Sequence, residues 1–265
     1  MKSYNIIKVN NIIKVNEMKQ KKQFSNEKFI NKEEVDKFNS FADSWWDPNG
    51  KMKSLHWINP TRVSHIKKQI CEHLKIKDSG KPLKGLKVLD IGCGAGVLSE
   101  SMALLGADVV GIDVTENMIL VAKKHATKSK LKIDYRIQDI NDLVAKGEKF
   151  DVVLCMEVVE HIDNLEEFLP TCNKAVKDGG LLFISTINRT VKSYAAAIVA
   201  AEYILRWLPI GTHEWHKFVK PSELCNFLKK HAKPVNMMGM VWKPLSNSWK
   251  MGKNLDINYT ITFKK

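Results

Sequence analysis

The sequence predicts an α/β fold built on a doubly wound, mostly parallel sheet whose last strand is antiparallel. Short β-branched runs alternate with helix-length segments over residues 87–186, which is typical of a parallel sheet covered by helices on both faces. A glycine-rich turn, Gly92-x-Gly94-x-Gly96, joins the first of these strands to a helix. The run NYTITFK at 258–264 alternates polar and apolar residues, as a half-exposed antiparallel strand does.

Each predicted element carries a local signal. The strands are short runs rich in Val, Ile and Leu, and the helices end at turn residues such as Gly106 and the pair Gly179-Gly180. In chain order we predict a helix over 63–74, a strand over 87–91, a helix over 95–105, a strand over 108–112, a helix over 116–124, strands over 133–137 and 151–156, a helix over 165–176, a strand over 181–186, an apolar helical insertion over 190–218, and strands over 235–241 and 258–264.

Composition limits the function classes without selecting one. The 265 residues suffice for one α/β domain or two small ones. Lys and Arg number 42 against 29 Asp and Glu, and the net charge of +13 suits nucleic acid, an anionic membrane surface or simple solubility. The five cysteines are scattered without a C-x-x-C pair, which argues against a disulfide framework or structural zinc site and favours a reducing compartment. No apolar run reaches the roughly 18 residues of a membrane span.

The N-terminus differs in composition from the rest of the chain. The hexapeptide NIIKVN occurs twice, at 5–10 and 11–16, in a basic segment without acidic residues. We interpret 1–32 as a flexible leader or tail, and either an organelle-targeting sequence or a duplicated low-complexity tail accounts for it. We predict a single domain over 33–265, beginning with a helical cap over 33–80 that is rich in aromatic residues such as Trp45 and Trp46.

The motif VLDIGCGAGVLSE at 88–100 is the sharpest chemical signal. Its glycines let the backbone approach a ligand closely, and the following helix presents N-terminal amides that favour a carboxylate or phosphate. Asp113 ends the next strand, where a carboxylate can accept hydrogen bonds from ribose hydroxyls, although an N-cap of the next helix is the alternative. Ligands of such sheets bind beyond the carboxyl ends of the strands.

A dinucleotide and S-adenosylmethionine are the two cofactors that use this layout. Dinucleotide folds usually show G-x-G-x-x-G, whereas the spacing here is G-x-G-x-G with Val97 and Leu98 next. Asp90 stands just before the glycines, where it would repel a pyrophosphate and attract the ammonium group of a methionine moiety. The spacing therefore favours S-adenosylmethionine and disfavours a nicotinamide dehydrogenase.

The hydrophobic-Asp-x-Gly-x-Gly-x-Gly fingerprint at 89–96 resembles that of the seven-strand S-adenosylmethionine-dependent methyltransferases, which have a Rossmann-like sheet. Longer blocks, SWWDPNGKMKSLHWINPTR, CMEVVEH, STINR, AAEYILR and GTHEWHKFVKP, look like the ubiquinone-biosynthesis O-methyltransferases. These enzymes methylate hydroxyls of polyprenylated dihydroxy-aromatic precursors, such as polyprenyldihydroxybenzoate and demethylubiquinol. The resemblance runs from about residue 38 to about residue 224 and weakens toward both ends.

The resemblance implies a cofactor site. S-adenosylmethionine would be held by Arg62, Gly92, Asp113 and Met156, with Gly94 in the same loop and Asp139 facing the adenine. For Arg62 a solvent-exposed side chain is the alternative interpretation, and for Asp139 an ordinary turn aspartate. Trp57 follows His56, where relatives often carry a basic or small residue, and we assign it no role.

The segment CMEVVEHID at 155–163 places acidic residues at the end of an apolar strand. Glu157, Glu160 and His161 stand at i, i+3 and i+4, which on a helical turn would share one side. Two carboxylates and an imidazole suit a divalent ion such as magnesium, manganese or zinc, and the resemblance favours magnesium. In the alternatives, His161 acts alone as general base or the segment is a solvated loop. We expect Glu157 and His161 to be catalytic.

The insertion at 190–218 is alanine-rich, with Tyr194, Tyr203, Leu205 and Trp207 among its apolar residues and Lys192 and Arg206 as flanking cations. Such a segment is typical of an interfacial helix that lies on a membrane, where a substrate with an isoprenoid tail would reside, and the net positive charge suits an anionic leaflet. A lid over the active site that touches no lipid is the alternative.

The glycine motif and the resemblance together imply an S-adenosylmethionine-dependent O-methyltransferase, and the resemblance implies that it acts on a polyprenylated catechol-type precursor, assisted by a divalent metal. The alternatives are a catalytically weak lipid-binding scaffold of a quinone-synthesis complex and a methyltransferase of another small aromatic substrate. Expected partners are the polyprenylated substrate, a membrane surface and other quinone-synthesis proteins, with no nucleic acid. The expected location is the matrix side of the mitochondrial inner membrane in a eukaryote, or the cytoplasm in a bacterium.

Overall fold

The computed structural model describes residues 45–50, 52–204, 211, 214–243 and 248–265. The predicted leader over 1–32 and the first part of the helical cap lie outside the described residues. The same holds for Leu205, Arg206 and Trp207 of the predicted insertion.

Strands and helices alternate through the described chain as the sequence predicts. In order they are α1 (Lys53–Leu74), β1 (Lys87–Ile91), α2 (Val97–Leu104), β2 (Asp108–Asp113), α3 (Glu116–Lys128), β3 (Asp134–Ile137), α4 (Ile140–Ala145), β4 (Phe150–Met156), a 3₁₀ turn (Val159–His161), α5 (Leu165–Lys174), β5 (Val176–Ile187), α6 (Val191–Ser193, continuing as the π-helical segment Tyr194–Ile204), a second 3₁₀ turn (Trp215–Lys217), α7 (Pro221–Leu228), β6 (Lys233–Lys243), β7 (Ser248–Gly252) and β8 (Asn258–Lys264).

Within the described residues, eight strands form one sheet in the order β3-β2-β1-β4-β5-β8-β6-β7. The pairs from β3 through β5 are parallel, and β8 runs antiparallel between β5 and β6. The predicted fold class is therefore confirmed. The one additional strand beyond the predicted seven is β7, which pairs antiparallel with β6 at the edge of the sheet.

Hydrophobic packing covers both faces of the sheet. One core cluster contains Leu89, Val153 and Phe168 with residues of α5 and α7. The other contains Val88, Phe183 and Ile66 with residues of α1 and α2. Adjacent strand residues such as Val88 and Leu89 thus lie on opposite faces of the sheet and are both buried, as expected for a doubly wound sheet covered by helices on both sides.

The glycines between β1 and α2 are required by close packing. Gly96 has φ 89°, and a Cβ there would lie 2.1 Å from the Oη of buried Tyr135 on β3. Gly92 has φ 64°, and a Cβ there would lie 2.6 Å from Val158. The loop can therefore pass between β3 and the segment after β4 only with glycine at these positions.

Helix boundaries differ from the sequence pattern in three places. Helix α1 begins at Lys53 and includes Pro60, whereas the predicted helix begins only at residue 63. The prediction starts too late because a proline usually marks a helix boundary. Helix α5 ends at Lys174, and the glycine pair at 179–180 lies inside β5. The short helix α4 is not predicted; its N-cap Asp139 accepts a hydrogen bond from Asn141 N. Among the residues that the structure describes, every helix is too short or too polar to cross a bilayer.

Candidate active site

The carboxyl ends of the parallel strands border one cavity of about 530 Å³. This is the ligand edge of an open α/β sheet. All the predicted site residues line this cavity: Arg62, Gly92, Gly94, Asp113, Asp139, Met156, Glu157, Glu160 and His161. The fold therefore brings to one place residues that lie as far apart in the sequence as Arg62 and His161.

Asp113, at the end of β2, is tied to the glycine loop. Its Oδ2 accepts a hydrogen bond from Gly94 N at 2.9 Å, and its Oδ1 accepts one from Thr115 N at 2.8 Å. Burial raises the pKa of the Asp113 carboxyl above its ordinary value. The N-cap of α3 is Thr115, so Asp113 fixes the loop between β1 and α2 relative to β2.

Asp90 is a buried carboxylate below the glycine loop. It is 3% exposed and accepts a 2.5 Å hydrogen bond from Ser99 Oγ on α2. Burial raises its pKa to about 6, and the Ser99 hydrogen bond and the charge of Arg62 oppose this rise. A cationic ligand group beside Asp90 would stabilise the ionised form, since an opposite charge nearby favours ionisation.

Arg62 on α1 reaches the end of β4. It is 6% exposed, which excludes the solvent-exposed alternative, and its Nη2 donates to Glu157 Oε1 at 2.7 Å. Its buried Nε has no hydrogen-bond partner among the described residues. Arg62 therefore retains a donor for another acceptor, and a guanidinium is suited to carboxylates.

Glu157 follows β4 directly and has the uncommon φ of +57°. Its carboxylate also accepts hydrogen bonds from Ser185 Oγ on β5 and from Asn258 Nδ2 on β8, the latter at 3.3 Å to both oxygens. The predicted helical turn is wrong for this residue, because the 3₁₀ turn contains only Val159–His161. The left-handed backbone at Glu157 separates it from that turn and directs it to three donors.

Glu160 is buried within the 3₁₀ turn. It is 5% exposed, and its Oε2 accepts a 2.8 Å hydrogen bond from Thr186 Oγ1. Burial, together with the nearby Glu157 carboxylate, raises its pKa to about 7, while His161 opposes the rise. Within the described part of the chain, no three His, Cys, Asp or Glu side chains are arranged to hold a metal ion.

Several cavity residues carry no motif signal in the sequence. Gln138 precedes Asp139 at the end of β3 and lines the cavity, and its buried Nε2 lacks a hydrogen-bond partner in the described residues. Asp139 lines the cavity too, but its Oδ1 accepts from Asn141 N and Nδ2 at 2.6 and 2.7 Å. Asn258 also lines it, as does Trp45, which belongs to the block SWWDPNGKMKSLHWINPTR. The polar residues at strand ends were the only available signal for Gln138 and Asn258.

An apolar wall continues the cavity beyond the acidic residues. Ile187 at the end of β5 lines it together with small residues of α6 and large apolar residues from β6, β7 and the turn before β8: Ala196, Ala197, Ala200, Ala201, Met240, Trp242, Trp249 and Ile257. The alanines recur about one helical turn apart along the π-helical segment Tyr194–Ile204, and π-helical geometry is rare in proteins. Their small side chains leave room for an apolar ligand group.

Comparison with known proteins agrees with this arrangement. A family model described as a methyltransferase domain matches residues 82–241. The ubiquinone biosynthesis O-methyltransferase of Pelagibacter ubique is 52% identical over 89% of this chain and 98% of its own length. The protein of the same name from Bartonella quintana is 48% identical over 89% of this chain and 96% of its own length.

Solved structures share the fold at much lower identity. Magnesium protoporphyrin IX methyltransferase from Synechocystis, solved with bound S-adenosylhomocysteine, superposes with a TM-score of 0.61 at 19% identity, over 87% of this chain and 97% of that one. An S-adenosylmethionine-dependent methyltransferase from Clostridium acetobutylicum gives a TM-score of 0.61 at 15% identity, over 86% and 98% of the two chains. These likenesses support the Rossmann-like sheet described above.

Proposed function

The chain belongs to the ubiquinone biosynthesis O-methyltransferases, and from this premise we propose that it methylates a hydroxyl of a polyprenylated catechol-type precursor. S-adenosylmethionine is the methyl donor of the family. The observation that supports the proposed substrate is the cavity itself. It joins the glycine loop and Asp113, the residues Glu157, Glu160 and His161, and the apolar wall of α6.

The residues in each part of the cavity suit a particular chemical group of the cofactor or the substrate. On the β1 and β2 side, Asp90 suits an ammonium group, Asp113 suits ribose hydroxyls, and Arg62 suits a carboxylate. After β4, His161 is the group suited to take the proton of the substrate hydroxyl. The substrate oxygen then forms a bond to the sulfonium methyl carbon while the carbon–sulfur bond breaks and its electron pair returns to sulfur. Methylated product and S-adenosylhomocysteine result.

We propose that Glu157, Glu160 and His161 also provide a site for a divalent cation such as Mg²⁺. The chemistry of the donors fits: two carboxylates and an imidazole border one cavity. Burial is the main cause of the raised pKa of Glu160, and a cation would relieve the smaller contribution from repulsion by Glu157. When bound, it would supply a positive charge that lowers the pKa of the substrate hydroxyl. The proposal rests on donor chemistry alone, because in the described residues the three side chains are not arranged as a ligand set and Glu157 is paired with Arg62.

An assay with a short-chain polyprenyl catechol, labelled S-adenosylmethionine and a titration of Mg²⁺ tests substrate and metal together. We expect methyl transfer that EDTA lowers at least ten-fold and Mg²⁺ restores, because the cation facilitates loss of the hydroxyl proton. A catechol without the prenyl chain should show a higher KM, since it leaves the apolar wall without a partner.

Each component of that assay has its own contradicting result. Cofactor binding without methylation of any prenylated catechol would favour the scaffold alternative. Equal kcat/KM for prenylated and unprenylated catechols would favour another small aromatic substrate. Full activity in EDTA, together with full turnover of Glu160→Ala, would exclude the metal and leave His161 as the base.

We propose further that α6 contacts a membrane surface through exposed apolar side chains. Val191 is 82% exposed, Tyr194 48% and Tyr203 56%. Trp215 in the second 3₁₀ turn and Ile257 in the turn before β8 are exposed as well. Exposed apolar side chains in one segment indicate an interaction surface, and a net charge of +13 suits an anionic bilayer. The cytoplasmic face of a bacterial membrane and the matrix face of the mitochondrial inner membrane are the locations that this proposal would allow.

Flotation with anionic vesicles tests the membrane contact. The triple variant Val191→Ser, Tyr194→Ser, Tyr203→Ser should lose at least ten-fold in vesicle affinity, because the apolar area available for burial falls. Point substitutions are preferable to deleting the segment, since Ala197 packs against Ile187 in the core. The matched control replaces exposed Leu104 and Leu120, on α2 and α3, with serine. Undiminished flotation of the triple variant would leave α6 as a lid over the cavity.

A further inference from the structure

The segment preceding α1 places two adjacent tryptophans over the cofactor side of the cavity. Trp45 lines the cavity and is 7% exposed. Its indole rests on the glycine loop, because a Cβ on Gly94 would lie only 3.1 Å from Trp45 Cζ2. Trp45 also packs with Met118 of α3 in a small apolar cluster. This side chain thus covers the loop whose amide is tied to Asp113.

Trp46 fastens the same segment to the sheet domain by two contacts. Its Nε1 donates a 2.8 Å hydrogen bond to Ala95 O in the glycine loop. Its indole stacks on the imidazole of His125, with ring centroids 3.4 Å apart and planes 4° from parallel. The glycine loop therefore holds Trp46 at the N–H edge of its indole, and α3 holds it at the face of the ring.

His125 is itself held in place. Its Nδ1 lies 2.8 Å from Oε1 of Glu100, which is 5% exposed on α2. A buried acceptor and a stacked ring together fix the orientation of the imidazole. The connected series Glu100, His125, Trp46 and Ala95 thus joins α2, α3 and the glycine loop to the tryptophan segment.

We propose that Trp45 contacts the bound cofactor and that Trp46 is a positioning residue that holds Trp45 on the glycine loop. The cofactor must bind along this loop, so its release requires the Trp45 side chain to yield or move. The contacts of Trp46 with Ala95 and His125 oppose that movement. They therefore set the dissociation rate of S-adenosylmethionine and of the product S-adenosylhomocysteine.

Stopped-flow displacement of S-adenosylhomocysteine from the full chain tests this inference. Trp46→Phe keeps a ring for stacking but loses the N–H donor, and we expect dissociation about five-fold faster. His125→Ala removes the ring on which Trp46 stacks, and we expect a similar increase in the dissociation rate. Trp45→Phe should abolish most of the change in tryptophan fluorescence on cofactor binding. Trp57→Phe is the matched control, because Trp57 is 41% exposed on α1 and its dissociation rate should equal that of the wild type.

The split between KM and kcat separates positioning from general stability. Trp46→Phe and His125→Ala should raise the KM for S-adenosylmethionine several-fold while kcat at saturation stays within about two-fold. Unchanged dissociation in both variants would overturn the proposal. A full fluorescence change on cofactor binding in Trp45→Phe would also overturn it. So would a lower melting temperature and a lower kcat in Trp46→Phe and His125→Ala with no change in KM.

Discussion

His161→Ala is expected to lower kcat about 10³-fold at pH 7 while the Kd for S-adenosylmethionine stays within about two-fold. A positioned general acid or base contributes roughly 10²–10⁴-fold, and His161 lines the cavity beside Glu157 and Glu160. His161 follows β4, whereas the glycine loop follows β1, so the substitution leaves the Asp113–Gly94 contact intact. Single-turnover kinetics with labelled cofactor measures the effect.

The pH dependence of this loss identifies its cause. A phenolic hydroxyl ionises by itself near pH 10, so the deficit of His161→Ala should shrink as pH rises from 7 to 10 if the imidazole accepts the proton. If His161 instead acts only as a metal ligand, added Mg²⁺ should restore part of the rate at pH 7. His73→Ala, at the end of α1 and outside the cavity lining, is the matched control. A kcat within two-fold of wild type at pH 7 would exclude His161 from catalysis.

Asp90→Asn is expected to stabilise the cofactor-free protein at pH 8 and to weaken S-adenosylmethionine binding about 100-fold. Burial raises the pKa of Asp90 from 3.8 to about 6. A raised carboxyl pKa means that the folded state binds the proton more tightly than the unfolded state. Ionisation of Asp90 therefore costs folding free energy, with no cost below pH 3.8, an increasing cost from 3.8 to 6, and the full cost above 6.

The size of both effects follows from the same carboxylate. The full cost is on the order of 3 kcal/mol, and asparagine avoids it while still accepting the Ser99 hydrogen bond. The stabilisation by Asp90→Asn should thus be large at pH 8 and nearly absent at pH 4. Loss of a charge-assisted hydrogen bond to the cofactor ammonium accounts for the weaker binding. Wild-type affinity should accordingly rise with pH through about 6.

Chemical denaturation at several pH values and calorimetric titration of the cofactor measure these two effects. Asp108→Asn, on an exposed position of β2, is the control and should change neither quantity. A variant that is less stable than wild type at pH 8 would contradict the burial cost. Unchanged cofactor affinity would contradict the role of Asp90 toward the ammonium group.

The sequence by itself determined the alternation of strands and helices and the position of the glycine loop at the cavity. Gly92, Gly94 and Asp113 are local signals, because a glycine turn between strand and helix and an acid at the next strand end have fixed consequences in a parallel sheet. Such signals can be read from a few consecutive residues, without knowing which distant segments pack together. The edge strand β7 lacked a comparable signal, since its pairing with β6 is set by the neighbouring strand.

Only the tertiary structure decided how the acidic end of the cavity is connected. The spacing of Glu157, Glu160 and His161 predicted one helical face, but the left-handed φ of Glu157 breaks that face and directs its carboxylate to Arg62. Arg62 lies 95 positions earlier and Asn258 lies 101 positions later. Hydrogen bonds across such separations depend on which strands and helices become neighbours, and no local pattern encodes them. For the same reason, the stacking of Trp46 on His125 became apparent only from the packed structure.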